Sequence, residues 1–110
     1  MSLFTSPDLS FKNFRAGVTE VFANYTLAAG DYFLAVLDTT VPRTITLPLA
    51  STFDLGRTFI IKDETGGANV NNITVLCTSP DNIEGVPQRS INSSRGGMMI
   101  LVRPGGYAII

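Results

Sequence analysis

The sequence contains no histidine, and this absence limits the chemistry that the chain could carry. Histidine is the commonest general base and metal ligand, and it activates the nucleophile in Ser-His and Cys-His pairs. Catalysis would have to rely on a carboxylate pair, such as Asp63 with Glu64 or Asp81 with Glu84, as in glycoside hydrolysis. Both pairs lie beside turn residues, where turn-forming or solvated roles are the default. We therefore predict that the chain is not an enzyme and requires no cofactor.

Cysteine and charged residues are scarce. Cys77 is the only cysteine and lies in the apolar run 73–77, so an intrachain disulfide is impossible and a buried apolar role is expected. A disulfide between subunits is the alternative. Charged residues make up 15% of the chain, the formal net charge is -1, and the few basic residues are scattered. Because phosphate backbones are bound by clustered Lys and Arg, nucleic acid is not expected as a partner.

Two further kinds of site lack the spacing that they require. Asp81, Asn82 and Glu84 offer oxygen atoms that suit calcium, but the twelve-residue calcium-binding loop is missing, so no metal site is predicted. The glycine-containing segments 65–69 and 95–97 do not open a helix and lack the lysine spacing of a phosphate-binding loop. We interpret these segments as turns.

Long apolar runs are also absent. No stretch approaches the roughly 18 consecutive apolar residues that a membrane-spanning helix requires. The N-terminus shows neither the basic region nor the long apolar region of a secretion signal. The expectation is a soluble domain that does not insert into a membrane.

The chain does contain short β-branched and aromatic runs from Val18 onward, separated by turn signals roughly every 8 to 12 residues. This pattern predicts an all-β fold, specifically an antiparallel, jelly-roll-like β-sandwich spanning residues 18–110. The predicted strands are 18–26, 31–38, 43–47, 57–63, 71–78, 98–103 and 107–110. Strand 43–47 alternates apolar residues with threonines and should be half-buried, whereas the apolar run in 57–63 suggests a central strand buried on both faces. Asp31, Asp38 and Asp63 lie at the ends of predicted strands, so their side chains are expected to bond local backbone N–H groups in turns. A length of 110 residues fits one domain, and neighbouring copies would add stability to so small a core.

Residues 1–17 are predicted to form an irregular lead-in, because they show no sustained period and are broken by Pro7 and Gly17. The lead-in is nevertheless too apolar for a solvated tail, so it packs either on its own domain or on a neighbouring copy. The candidate subunit contacts are Phe4, Phe11, Phe14, Met98 and Met99. For the two methionines, ordinary core packing is the alternative.

Five segments follow one another in a specific order along the chain. They are 25–38, 44–48, 56–63, 72–75 and 83–85. This series, which includes Ile-Thr-Leu-Pro, Ile-Lys-Asp and Ile-Glu-Gly, resembles a module common in tail fibres and fibre heads of phages and other viruses. The resemblance implies a compact β-sandwich that assembles as a homotrimer in the virion, and it carries no catalytic residues. Such modules often close with a strand that contains tryptophan, and Tyr107 takes that place here.

The longest irregular stretch, 79–97, is the first place to look for function, since binding residues concentrate on loops. Its densest set of potential hydrogen-bonding side chains is the predicted receptor-binding set. That set is Arg89, Asn92, Ser93, Ser94 and Arg95. The leading hypothesis is a fibre domain that attaches to a host-surface glycan or protein. The alternative is a structural module, for trimerisation or capsid decoration, that binds no receptor.

Overall fold

The computed structural model describes residues 17–110, so the predicted contacts of Phe4, Phe11 and Phe14 lie outside the described residues. Within this range the chain forms ten strands and a short 3-10 helix, Ala50–Thr52, and it contains no α-helix. No helix among these residues is long and apolar enough to cross a membrane. The strands are β1 (Val18–Val21), β2 (Tyr25–Thr26), β3 (Phe33–Val36), β4 (Arg43–Leu47), β5 (Thr58–Asp63), β6 (Ile73–Cys77), β7 (Asn82–Ile83), β8 (Gln88–Ile91), β9 (Gly97–Arg103) and β10 (Gly106–Ile109).

Two sheets are built by a chain that passes from one to the other at almost every connection. One sheet has six strands in the order β1-β3-β5-β9-β10-β7, and the other has four in the order β2-β4-β6-β8. Strands β1, β3 and β5 are parallel neighbours, and so are β2, β4 and β6. Only the hairpin of β9 and β10 keeps two consecutive strands in the same sheet. The first six strands therefore wind as a coil.

The all-β, two-sheet architecture predicted from the sequence is confirmed, but the antiparallel, jelly-roll-like arrangement is wrong. The predicted strand 18–26 is divided by a bend at 22–24, which sends β1 and β2 into different sheets. Each connection among the first six strands leads to the opposite sheet, and the next of these strands in the same sheet runs in the same direction. Antiparallel pairs form only where β9 meets β5 and β10, and where β8 meets β6.

The core lies between the two sheets and is formed by alternate residues of the central strands. On β4 the alternation is as predicted, since Ile45 and Leu47 are fully buried and the threonines that alternate with them are not. Strand β5 was predicted to be buried on both faces, and this is wrong. Its residues alternate, with Phe59 and Ile61 in the core and Ile60 on the partly exposed outer face.

Three sulfur-containing residues show how the strand period places side chains. Cys77 is buried at the end of β6, as predicted. Met98 packs against the core, whereas Met99, the next residue, points to the outer face and is exposed. The two candidate subunit contacts on β9 therefore lie on different faces of the sheet, Met98 partly buried toward the core and Met99 on the outer face.

Candidate functional site

A surface that we call the ledge is formed by loops at one edge of the sandwich. It consists of Phe22, 37–40, 63–67 and 92–95. The amide of Leu37 donates to the carbonyl of Val21 over 2.9 Å, and the amide of Glu64 donates to that of Val36 over 3.0 Å. These bonds continue the parallel ladders beyond β1, β3 and β5, so the loops that follow the three strands lie side by side.

Two of these loops share the local motif Asp-X-Thr. In each, the aspartate Oδ1 accepts both the amide and the hydroxyl of the threonine two residues later. For Asp38 the donors are the Thr40 amide at 2.9 Å and its Oγ1 at 2.6 Å. For Asp63 they are the Thr65 amide at 2.8 Å and its Oγ1 at 2.7 Å. This confirms the local turn role predicted for both aspartates.

Asp38 remains near the surface, and its charge is balanced. The hydroxyl and amide of Thr40, followed by the side chain of Arg43, lower the pKa of Asp38 to about 2. The Arg43 guanidinium lies 2.9 Å from Asp38 Oδ1, and its Nε also donates to the Asp38 carbonyl. The 38–40 turn is therefore held at both the side chain and the backbone.

Asp63 is the central residue of the ledge, because its fully buried carboxylate joins two loops. Oδ1 accepts the amide of Gly66 at 3.1 Å in addition to both groups of Thr65. Oδ2 accepts the amide of Ala68 at 3.0 Å and, from the turn between β8 and β9, the amide of Arg95 at 3.1 Å. Burial alone would raise the pKa of Asp63, but these hydrogen bonds outweigh it and lower the pKa to about 2. The carboxylate is therefore a stable buried anion without a cationic partner in the described part of the chain.

A shallow depression of about 390 Å³ opens between the two Asp-X-Thr loops. Its lining comprises 37–40 and 65–67 and includes the hydroxyls of Thr39, Thr40 and Thr65. The Thr39 and Thr65 hydroxyls are hydrogen-bonded to each other across the two loops. A side chain at Gly67 would collide with Thr39 Oγ1, so glycine is needed for this close approach.

The predicted receptor-binding residues fall into two places. Ser94 Oγ donates to the Gly66 carbonyl over 2.7 Å, and Arg95 Nη1 donates to the Glu64 carbonyl over 2.9 Å, so both lie beside the depression. Asn92 and Ser93 are exposed on the same turn. Arg89 does not join them. It lies on β8, where its Nη2 donates to the Glu84 carbonyl over 3.0 Å.

The sequence interpretation missed the other parts of the ledge. The threonines of 38–40 and 63–65 could have been found from the repeated Asp-X-Thr motif. Phe22 gave no such signal. The residue is 60% exposed. It directly follows Val21, whose carbonyl accepts the amide of Leu37 in the wall of the depression.

The remaining carboxylates that were considered for chemistry bind backbone amides. Asp81 Oδ2 accepts the amide of Ala50 at 2.7 Å, and Glu84 Oε2 accepts the amide of Ile109 at 2.7 Å. Within residues 17–110, no group of three or more His, Cys, Asp or Glu side chains is arranged to hold a metal ion. These carboxylates therefore have an evident structural use.

No protein-family model matches this chain, and no curated protein shows significant similarity to it. The interpretation of the ledge therefore rests on its geometry and on the residues themselves.

Replacing Asp63 by asparagine should remove a pH-dependent part of the stability. The pKa of Asp63 is about 2 in the folded chain and about 3.9 in an unfolded one, so the anion stabilises the fold above pH 4. This contribution, about 2 to 3 kcal/mol, is lost as the pH falls through 2. Urea unfolding followed by circular dichroism from pH 5 to pH 2 should show the wild type losing its advantage over Asp63→Asn. Parallel stability curves for the two proteins would contradict this role.

Proposed function

We propose that this chain is a structural domain of a viral or phage fibre, and that its ledge attaches the virion to a host-surface glycan. The observation that carries the proposal is the depression between the two threonine-bearing loops, with Ser94 and Arg95 hydrogen-bonded beside it. The exposed residue Phe22 directly follows Val21, whose carbonyl accepts the amide of Leu37 in the wall of the depression. The proposed role is binding, without catalysis.

The chemistry of the ledge favours a neutral, polyhydroxylated ligand. The hydroxyls of Thr40 and Ser94 already donate to Asp38 Oδ1 and to the Gly66 carbonyl, so their oxygens are left to accept hydrogen bonds from sugar hydroxyls. The Phe22 ring offers an apolar surface on which the C–H face of a sugar ring can pack. Asp38 is paired with Arg43, and the charge of Asp63 is buried, so neither carboxylate presents an uncompensated charge to a ligand.

The rigidity of the ledge also favours binding. Side-chain and backbone hydrogen bonds hold both Asp-X-Thr turns and the turn that carries Arg95 before any ligand arrives. Ligand binding to fixed loops loses less conformational entropy than binding to loops that must first become ordered. A shallow, open surface suits one segment of a chain displayed on a cell better than a small molecule that must be enclosed.

The fibre part of the proposal rests on the ordered series of segments that resembles fibre heads. Those segments extend over β2 to β6, which belong to the coiled part of the fold, and over the turn after β7. In this proposal the domain is located in the virion, and its partners are other fibre or capsid proteins and the host surface.

Two substitutions on the ledge should weaken attachment, and each has a matched control elsewhere. Phe22→Ala and Arg95→Asn should each reduce binding about tenfold, equivalent to about 1.4 kcal/mol. Asparagine is chosen at position 95 because it tolerates the backbone φ of 63° there. The controls Leu55→Ala, at a residue 65% exposed, and Arg89→Asn should bind as the wild type does. Binding would be measured on a glycan array and then on host cells.

If both ledge variants bound as strongly as the wild type, the ledge would not be the attachment site. If Arg89→Asn alone lost binding, the site would instead lie near β8. Arg89 belongs to the receptor-binding set predicted from the sequence, so that set would then be only partly correct.

A structural module without a receptor is the second candidate, because the outer face of the six-stranded sheet exposes apolar side chains such as Met99 that attachment does not need. The homotrimer predicted for the fibre applies to both candidates. Light scattering at micromolar concentration should give three times the mass of one chain, and a monomer would contradict the fibre assembly. A trimer that binds neither glycans nor host cells would favour the structural candidate.

A further inference from the structure

Four apolar side chains form a continuous row across the outer face of the six-stranded sheet. The pairing register places Val18 opposite Phe33, Phe33 opposite Ile60, and Ile60 opposite Met99. Paired residues in a sheet project from the same face, so these side chains are neighbours. We call Val18, Phe33, Ile60 and Met99 the outer row.

The outer row lies on the face away from the core. The core residues Leu34, Phe59 and Ile100 alternate with it along their strands. Val18 is 64% exposed and Met99 is 37% exposed, while Phe33 and Ile60 are half-buried by their neighbours. No residue of 17–110 forms a layer over this face, since the other sheet packs on the opposite side.

The chain enters the sheet at one end of the outer row. The Gly17 carbonyl accepts the amide of Phe33 over 3.0 Å, so the backbone is fixed to the sheet up to this residue. Val18, the next residue, is the first member of the row. The described part of the chain therefore begins beside the apolar surface.

We propose that residues 3–14 cover the outer row of their own chain. The segment carries apolar side chains at Leu3, Phe4, Leu9, Phe11 and Phe14. An extended chain advances up to about 3.3 to 3.6 Å per residue, so this segment reaches well beyond the row, whose four strands span about 14 Å. Leu9 and Phe11 are two positions apart in the sequence, the spacing at which neighbouring side chains of a β-strand share a face.

The segment is a better occupant than a second copy of the sheet. Four side chains, two of them already half-buried, are far fewer than the 20 to 30 residues per partner, burying about 800 Å², of a stable interface. The covalent connection at Gly17 replaces an encounter between molecules by one within a chain, at an effective concentration of about a millimolar or more. Subunit contacts in a homotrimer would then involve the segment's outer surface or other parts of the domain.

Fluorescence can detect the covered row directly, because the chain has no tryptophan. In the full-length Phe11→Trp variant, emission should be shifted to shorter wavelength, and acrylamide should quench it several-fold less than free tryptophan. Adding Met99→Asp should reverse both effects, whereas Arg103→Asp, an exposed residue on the same strand, should change neither. Val18→Ser provides a milder test if Met99→Asp does not fold. Solvent-like emission from Phe11→Trp alone would overturn the proposal.

Disulfide trapping identifies which chain supplies the segment. The native thiol of Cys77 is buried, so cysteines introduced by Phe11→Cys and Met99→Cys should react first. Oxidation of mixed isotopically labelled and unlabelled chains should give a bond within one chain, detected by mass spectrometry. Phe11→Cys with Leu55→Cys, an exposed residue in the turn before β5, should give no such bond. A bond between chains would show that a neighbouring copy covers the row, and absence of any bond would show that residues 3–14 do not.

Discussion

The buried carboxylate of Asp63 is the interaction on which the ledge depends. It lies at the last position of β5, with no exposure to solvent, and its hydrogen bonds come from its own loop and from the turn that carries Arg95. Because a buried charge without hydrogen bonds is very costly, these amides must point at the carboxylate whenever the domain is folded. The positions of Thr65, Gly66 and Arg95 therefore follow from one side chain.

The coiled winding of the chain extends the ledge over several neighbouring loops. Parallel neighbours place the loop after β3 beside the loop after β5, so the Asp38 turn and the Asp63 turn line the same depression. An antiparallel meander would have put successive loops at alternating ends of the sheet. The turns are therefore stacked because the chain passes between the sheets at each of these connections. The stacked turns give a small domain a continuous polar surface without a deep cavity.

The sequence predicted the properties that depend on neighbouring residues. The period of two on β4, the burial of Cys77 and the turn roles of Asp38 and Asp63 all follow from local patterns, and all are confirmed. The pairing of strands depends on distant residues, and here the prediction was wrong. One signal was available: Thr26-Leu27 and Thr46-Leu47 occupy equivalent places on successive coils, since Thr26 pairs with Thr46. The separation of Arg89 from Arg95 likewise depends on where β8 ends, which composition does not reveal.

Amide hydrogen exchange on the wild type and Asp63→Asn tests the central claim most directly. The account predicts that the amides of Ala68 and Arg95, which donate to the same oxygen, exchange slowly in the wild type and become faster together in the variant. The ladder between β5 and β9 should remain protected, because its backbone pairs do not involve the carboxylate. Unchanged protection at Ala68 and Arg95, or an equal loss throughout β9, would contradict the claim that this one side chain holds the ledge.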